Sequence, residues 1–204
     1  MTETIKFTKN SLRQQEARLK QLELYLPTLK LKKALLQVQI SETKVELEST
    51  ISELAKAKDQ VLLFSNLLDE TFIKKFAQIK HVSKKYENIA GVEIPVFENV
   101  LFNEVFYFLF DSPIWWDSAI LKIRELVAVR EKMHVIEEKK RVLEKEWHEI
   151  SIRVNLFEKV LIPTALVNIK KIRIFLGDQE LAAVAQAKIA KAKILRGKED
   201  DREG

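Results

Sequence analysis

The side chains best suited to hold a metal or move a proton are three histidines, His81, His134 and His148. Glu144 and His148 stand four residues apart, so on a helix a carboxylate and an imidazole would share one face and could meet one ion. A third ligand at helical spacing is missing, and with no cysteine the chain offers neither thiolate ligands nor disulfides. His134 follows an apolar helix position and reads as a surface residue. Neither a Walker-type phosphate loop nor a Gly-x-Gly-x-x-Gly turn occurs, and no serine sits in a nucleophile elbow. The sequence therefore predicts no catalytic residue, no cofactor, no metal and no enzyme activity of its own.

The elements that would position any site are long. Gly and Pro total eight in 204 residues, which leaves few turns, and charged residues at 32% beside hydrophobics at 47% suit paired helices. Stepping alternately by three and four from Leu12 to Leu68 visits seventeen positions, and all but Gln15, Lys33, Thr43 and Thr50 are apolar. The same stepping from Leu126 to Leu161 visits eleven, all but Lys140 apolar. Such a seam winds two helices into a left-handed supercoil. Beyond Pro163 the apolar positions shift to Ala165, Ile169, Ile172 and Leu176, so the winding changes there. A second proline, Pro27, interrupts the first seam.

Between the seams the composition changes. "VEIPVF" and "EVFYFLF" are β-branched and aromatic and read as two strands of a hairpin, with Pro95 keeping its strand at an edge. Trp115 and Trp116 are expected to pack beneath that hairpin. The expected fold is all-α: a single domain, 1–204, built as a long antiparallel two-helix left-handed coiled coil with a small β-hairpin insert. Its expected parts are a helix over 9–86 capped by Thr8, a hairpin and connecting region over 87–112, a helix over 113–195 capped by Asp111 or Ser112, and a disordered tail over 196–204.

A net charge of +5, with both signs interspersed, reads as a solvated helix surface and not as a nucleic-acid footprint. The lysine-rich runs at 29–33 and 187–198 are the best case for an anionic partner. No apolar run approaches the roughly 20 residues needed to cross a bilayer. The first twenty residues have no signal-like apolar core. A cytoplasmic protein without membrane insertion is expected.

Three separated motifs sharpen this picture. Arg18-Leu19 precedes Thr28-Leu29-Lys30-Leu31-Lys32-Lys33. Asn88-Ile89-Ala90-Gly91-Val92-Glu93-Ile94-Pro95 follows, and Arg153-Val154-Asn155, Ile162-Pro163 and Ile169-Lys170 close the series. In order and spacing the chain resembles the D subunit of the V-type and archaeal-type rotary ATPases over almost its whole length. It departs from that pattern at Pro27, at Ala34, and after Leu176, where its charges are sparser.

The resemblance implies a non-catalytic central-stalk rotor that couples proton or sodium flow to ATP synthesis or hydrolysis. The partners it implies are the catalytic and regulatory subunits of the head, a small stalk partner (the F subunit) and a collar subunit of the membrane rotor. It implies a location peripheral to the membrane within the complex. It marks Arg18, Leu29, Lys30, Lys32, Lys33, Gly91, Pro95, Arg153, Asn155, Pro163 and Lys170 as structural or coupling candidates. The competing expectations are the γ shaft of F-type motors, whose insert is larger, and a coiled-coil scaffold or membrane-remodelling protein.

Overall fold

The structure, a computed structural model, describes residues 6–108 and 112–203. In chain order it contains α1 (Lys9–Leu62), α2 (Glu70–Phe76), β1 (Ile79–Ile89), β2 (Val92–Phe102), α3 (Trp116–Leu156), a π-helical turn (Phe157–Leu161) and α4 (Ile162–Glu203). The architecture is all-α with one small two-stranded sheet. The chain divides into two compact units. One holds the chain up to Lys30 together with the chain from Ile152, and the other holds Leu31–Ser151.

In the Leu31–Ser151 unit, α1 and α3 run antiparallel. Glu46 and Glu53 ascend α1 while their partners Lys139 and Lys132 descend α3, at 2.9 and 3.0 Å. Leu36, Ile40 and Ala57 are buried on α1, as are Ile136, Leu143 and Ile150 on α3, all at the predicted seats. Thr43 and Thr50, the two polar seats at the centre, are also buried. Their hydroxyls donate to the carbonyls of Gln39 and Glu46 one turn back, at 2.7 and 2.8 Å, so neither hydroxyl is left unpaired.

The first seam ends earlier than the periodicity suggests. α1 stops at Leu62, and the expected helix to residue 86 is replaced by turns, α2 and a strand. Turn bonds from Phe64 to Val61 and from Leu67 to Phe64 carry the chain through Ser65 and Asn66, which favour turns over helix. Asp69 then opens α2. Its carbonyl accepts from the Ile73 amide, and its carboxylate accepts from the Thr71 hydroxyl.

The hairpin also differs from expectation. "VEIPVF" is a strand, but it pairs with Ile79–Ile89, and residues 103–108 of the "EVFYFLF" run form no strand. The reason lies in the turn. Ala90 and Gly91 have φ of 52° and 77°, the two left-handed residues of a tight hairpin loop, and the Gly91 amide donates to Asn88 Oδ1 at 2.9 Å. A two-residue loop there places Ile89 opposite Val92 and forces the polar residues before it into the partner strand. Pro95 sits opposite Tyr86 in a sheet whose strands are both edges, which is where a proline is tolerated. Val92, Ile94, Pro95 and Val100 are buried, whereas β1 is mostly exposed.

The hairpin lies back along the helix pair of its own unit. Phe102 at its root is stacked by Arg124, Lys84 at mid-length reaches Glu138 at 2.6 Å, and Gly91 at its tip lies beside the Lys32 ammonium. Eleven strand residues span about 36 Å. That is close to the distance from Arg124 to Trp147 along α3, about 35 Å.

Helix α3 begins at Trp116, three residues later than expected, because Pro113 closes a preceding turn by accepting from the Trp116 amide. The expected cap Asp111 lies outside the described residues. At the other end α4 is helical through Glu203, in place of the tail expected from residue 196. The stretch before it, residues 182–193, is rich in alanine and lysine, both strong helix formers.

The other unit pairs the beginning of α1 with the end of α3, the π turn and α4. Lys9, Glu16 and Lys30 ascend α1 while Glu180, Arg173 and Glu158 descend the opposite strand of the pair. Thr8 caps α1, its hydroxyl accepting from the Ser11 amide at 3.2 Å. Leu22, Val154, Ala165, Ile169 and Ile172 are buried.

Here the drift in the seam finds its cause. Continued from Phe157 and Leu161, the three-and-four stepping would seat Thr164, Asn168, Lys171 and Phe175. The apolar residues that are buried or partly buried are instead Ala165, Ile169, Ile172 and Leu176, each one place later. The π turn absorbs that one residue. The Ile162 amide donates to Phe157 O, five residues back, and widens the turn. Pro163 follows at once. A proline has no amide for the carbonyl four residues earlier and would clash with it in an ordinary helix. A widened turn just before it relieves that clash. Pro27, by contrast, sits inside continuous helix, where the Thr28 hydroxyl donates to Tyr25 O at 2.7 Å.

Two substitutions separate packing from turn geometry. Leu36→Ala, at a site with no exposed surface, should lower unfolding free energy by about 2–5 kcal/mol. Gly91→Val should cost about 1–2 kcal/mol through its positive φ, since a Cβ there meets only Lys32 Nζ at 3.7 Å. Urea unfolding monitored by helix signal measures both.

Candidate functional site

The marked residues do not converge on one point. In the unit formed by the chain ends, Arg18, Arg153, Asn155, Pro163 and Lys170 are exposed, while Leu29 occupies a partly buried seam seat. Lys30 pairs with Glu158 inside the π turn, which joins one candidate to the segment preceding Pro163. In the Leu31–Ser151 unit, Lys33 sits with its ammonium 5.6 Å from the Trp147 ring centre. This cation–π contact lets a lysine occupy a seam seat. Lys32 lies against the hairpin tip at Gly91, and Pro95 is buried in β2.

The groups suited to chemistry are dispersed. His81, His134, Glu144 and His148 are all exposed. His134 Nδ1 approaches Glu137 at 3.7 Å. Among the described residues no three His, Cys, Asp or Glu side chains are grouped to hold a metal ion. No helix among them is long and apolar enough to cross a membrane.

What the structure does build is surface. In the Leu31–Ser151 unit, α1 carries a second apolar line on the face away from its seam: Leu31, Leu35, Val38 and Val45, with Leu31 62% and Val45 66% exposed. In the other unit α4 carries Val167, Ile174 and Leu181, spaced by seven and exposed. A three-and-four stepping started at Leu31 instead of Leu12 traces the α1 line. The inner seam, longer and more regular, masks it in the sequence.

Another apolar surface surrounds the start of α3. Phe72, Phe76, Tyr107, Trp115 and Trp116 form a ring cluster with neighbouring centres 4.7–6.4 Å apart. The tryptophans therefore pack against α2 and the 103–108 segment instead of beneath the hairpin. The Tyr107 hydroxyl donates to Asp117, and that bond raises its pKa above the usual phenol value. In the same unit Phe106 is 90% and Ile114 100% exposed. Monomeric proteins seldom leave contiguous apolar surface of this kind uncovered.

Comparison with known proteins points one way. The ATP synthase D-subunit family pattern matches residues 11–192. The chain is 42% identical over 205 residues to the V-type ATP synthase D subunit of Chlamydia abortus, covering 98% of each chain. It is 43% identical over 204 residues to the Chlamydia caviae protein of the same description, again covering 98% of each. With the Chlamydia trachomatis serovar L2 counterpart the identity is 42% over 204 residues, 98% of this chain and all of the relative.

The exposed lines should matter little to the fold itself. Val38→Glu should change unfolding free energy by no more than about 0.5 kcal/mol, whereas Ile172→Ala in the buried seam should remove about 2–5 kcal/mol. Thermal and denaturant unfolding of the two variants checks the contrast.

Proposed function

This chain belongs to the ATP synthase D-subunit family, and from that premise we propose that it is the non-catalytic central-stalk rotor of a V/A-type rotary ATPase. As such a subunit it works within a larger complex. In this reading transmembrane flow of protons or sodium ions turns it, and it drives ATP synthesis in the head, or it turns in reverse during hydrolysis. The observation that carries the reading is full-length similarity to V-type D subunits, joined to a chain that commits its residues to paired helices and to exposed apolar lines.

Each surface suits one class of partner. The unit made of the chain ends, with Val167, Ile174 and Leu181 outward, sits within the ring of catalytic and regulatory subunits. The α1 line at Leu31, Leu35, Val38 and Val45 receives the small F subunit of the stalk. A strip with this repeat is the complement of another helix. The exposed Phe106, Phe108 and Ile114 meet the collar subunit of the membrane rotor. The chain is cytoplasmic and peripheral, held at the membrane by its complex.

A rotor must leave each position it visits, so deep anchors on its flanks would hinder it. The ion pairs along its paired helices, such as Lys9–Glu180 and Glu16–Arg173, are exposed and contribute only about 0–1 kcal/mol each. The seam is different. Interlocked Leu, Ile and Val side chains resist sliding of one helix along the other, which is what transmitted torque requires. The π turn and Pro163 make the winding uneven within the chain-end unit. An uneven surface can act on surrounding sites one after another, where a regular round one would act on all equally.

Two experiments test this. The chain should copurify with the large ATPase subunits and bind a small stalk partner one to one. Homopolymers without them would favour a scaffold. Pro163→Ala should preserve assembly but lower ATP turnover per ion moved in reconstituted vesicles, and unchanged coupling would reject the role given to the π turn.

A further inference from the structure

The hairpin is held to α3 by an arginine that the family resemblance does not single out. Arg124 Nε donates to Phe76 O, and its Nη2 donates to Asn103 O, both at 3.1 Å. Phe76 ends α2 just before β1, and Asn103 directly follows β2. One side chain thus grips the polypeptide on both sides of the hairpin. Its guanidinium also lies 5.2 Å from the centre of the Phe102 ring, and the Asn103 amide donates to Gln78 O, closing the root between the two grips. Phe76 is itself buried and sits among Phe72, Tyr107 and Trp116, so the anchored carbonyl belongs to a packed corner.

We propose that Arg124 is a positioning residue that makes the hairpin part of the rigid body of α3. Root stiffness is decisive because the hairpin is long. A play of about 10° at the root moves a tip about 36 Å away by about 6 Å. A flap hinged at 76–79 and 102–103 would need both connections to bend together, and the guanidinium blocks this by holding both carbonyls at once. Lysine offers a point charge and could serve one carbonyl at a time, whereas the planar fork of arginine serves two. Further out, the hairpin keeps the Lys84–Glu138 pair and the burial of Val92, Ile94 and Val100. The ion pair is exposed and weak in salt, so it follows the hairpin more than it directs it. The consequence for function rests on the stalk reading: a hairpin fixed to α3 turns with the helix pair and does not trail behind it.

The absence of cysteine makes the test clean. Spin labels introduced through Tyr86→Cys on β1 and His134→Cys on α3, both exposed positions, report the hairpin-to-helix distance in the full chain. With Arg124 intact the distance distribution should be narrow. Arg124→Met should broaden it, and Arg124→Lys should broaden it nearly as much, even at low salt. Amide exchange across residues 79–102 should rise on the order of tenfold, as for the loss of charge-assisted bonds, while exchange at the seam residues 36–50 and 136–150 stays unchanged. An unaltered distribution in Arg124→Met would overturn the proposal by showing that apolar packing alone fixes the hairpin. So would a parallel loss of protection in the seam, which would make Arg124 a general stabiliser. These measurements use the isolated chain, so their outcome is independent of whether it turns inside an ATPase.

Discussion

Leu36, Ile40, Thr43 and Thr50 on α1, and Ile136, Leu143 and Ile150 on α3, are buried along one seam, and the remaining features depend on it. An isolated helix has no reason to persist for dozens of residues in water; a packed face supplies that reason. All seventeen predicted seats from Leu12 to Leu68 are buried or partly buried, including the four polar ones. Three of those polar seats meet a local solution. Thr43 and Thr50 bond back to their own helix, and Lys33 lies over the Trp147 ring. Polar seats in a seam lower stability but restrict which registers are acceptable.

The seam also explains the break in its own pattern. A seven-residue repeat and an ordinary α-helix drift apart, and a helix can correct the drift by absorbing a residue. The segment from Phe157 to Leu161 does so as a π turn, and the buried apolar positions after it are displaced by one. Pro163 sits where the turn is already widened. A proline that would disrupt a regular helix is accommodated at a site where one amide bond is out of step. Lys30 from α1 pairs with Glu158 within this turn, so the irregular segment remains tied to the opposite helix.

The long seams are legible in the sequence because periodicity is a repeated signal and each turn of helix votes for it. The slip after Leu161 is legible for the same reason, although its physical form as a π turn is not. The hairpin is half legible. Asn88 to Pro95 carry the turn and one strand, but the partner strand, "IKHVSKKYENI", is polar and exposed and has little alternation to show. The aromatic run after Phe102 reads as a strand because ring-rich segments usually are; here its Tyr107 joins α2 and α3 in a cluster that only the tertiary fold assembles. The surfaces are less visible still. Seven-residue spacing at Leu31, Val38 and Val45 is present in the sequence, yet the longer and more regular inner seam masks it. Arg124 leaves no signal, because its partners are backbone carbonyls of Phe76 and Asn103 and carry no residue identity.

Among the described residues the chain offers a buried seam, a π turn and exposed apolar lines, and no three His, Cys, Asp or Glu side chains are grouped to hold a metal ion. In the proposed stalk role, those features serve to convey rotation. The most direct measurement attaches a probe to this chain within an assembled, surface-immobilised head and follows its orientation as ATP is hydrolysed. The probe should turn continuously in one direction, in steps paced by ATP. A probe that stays fixed while the head hydrolyses ATP would contradict the account.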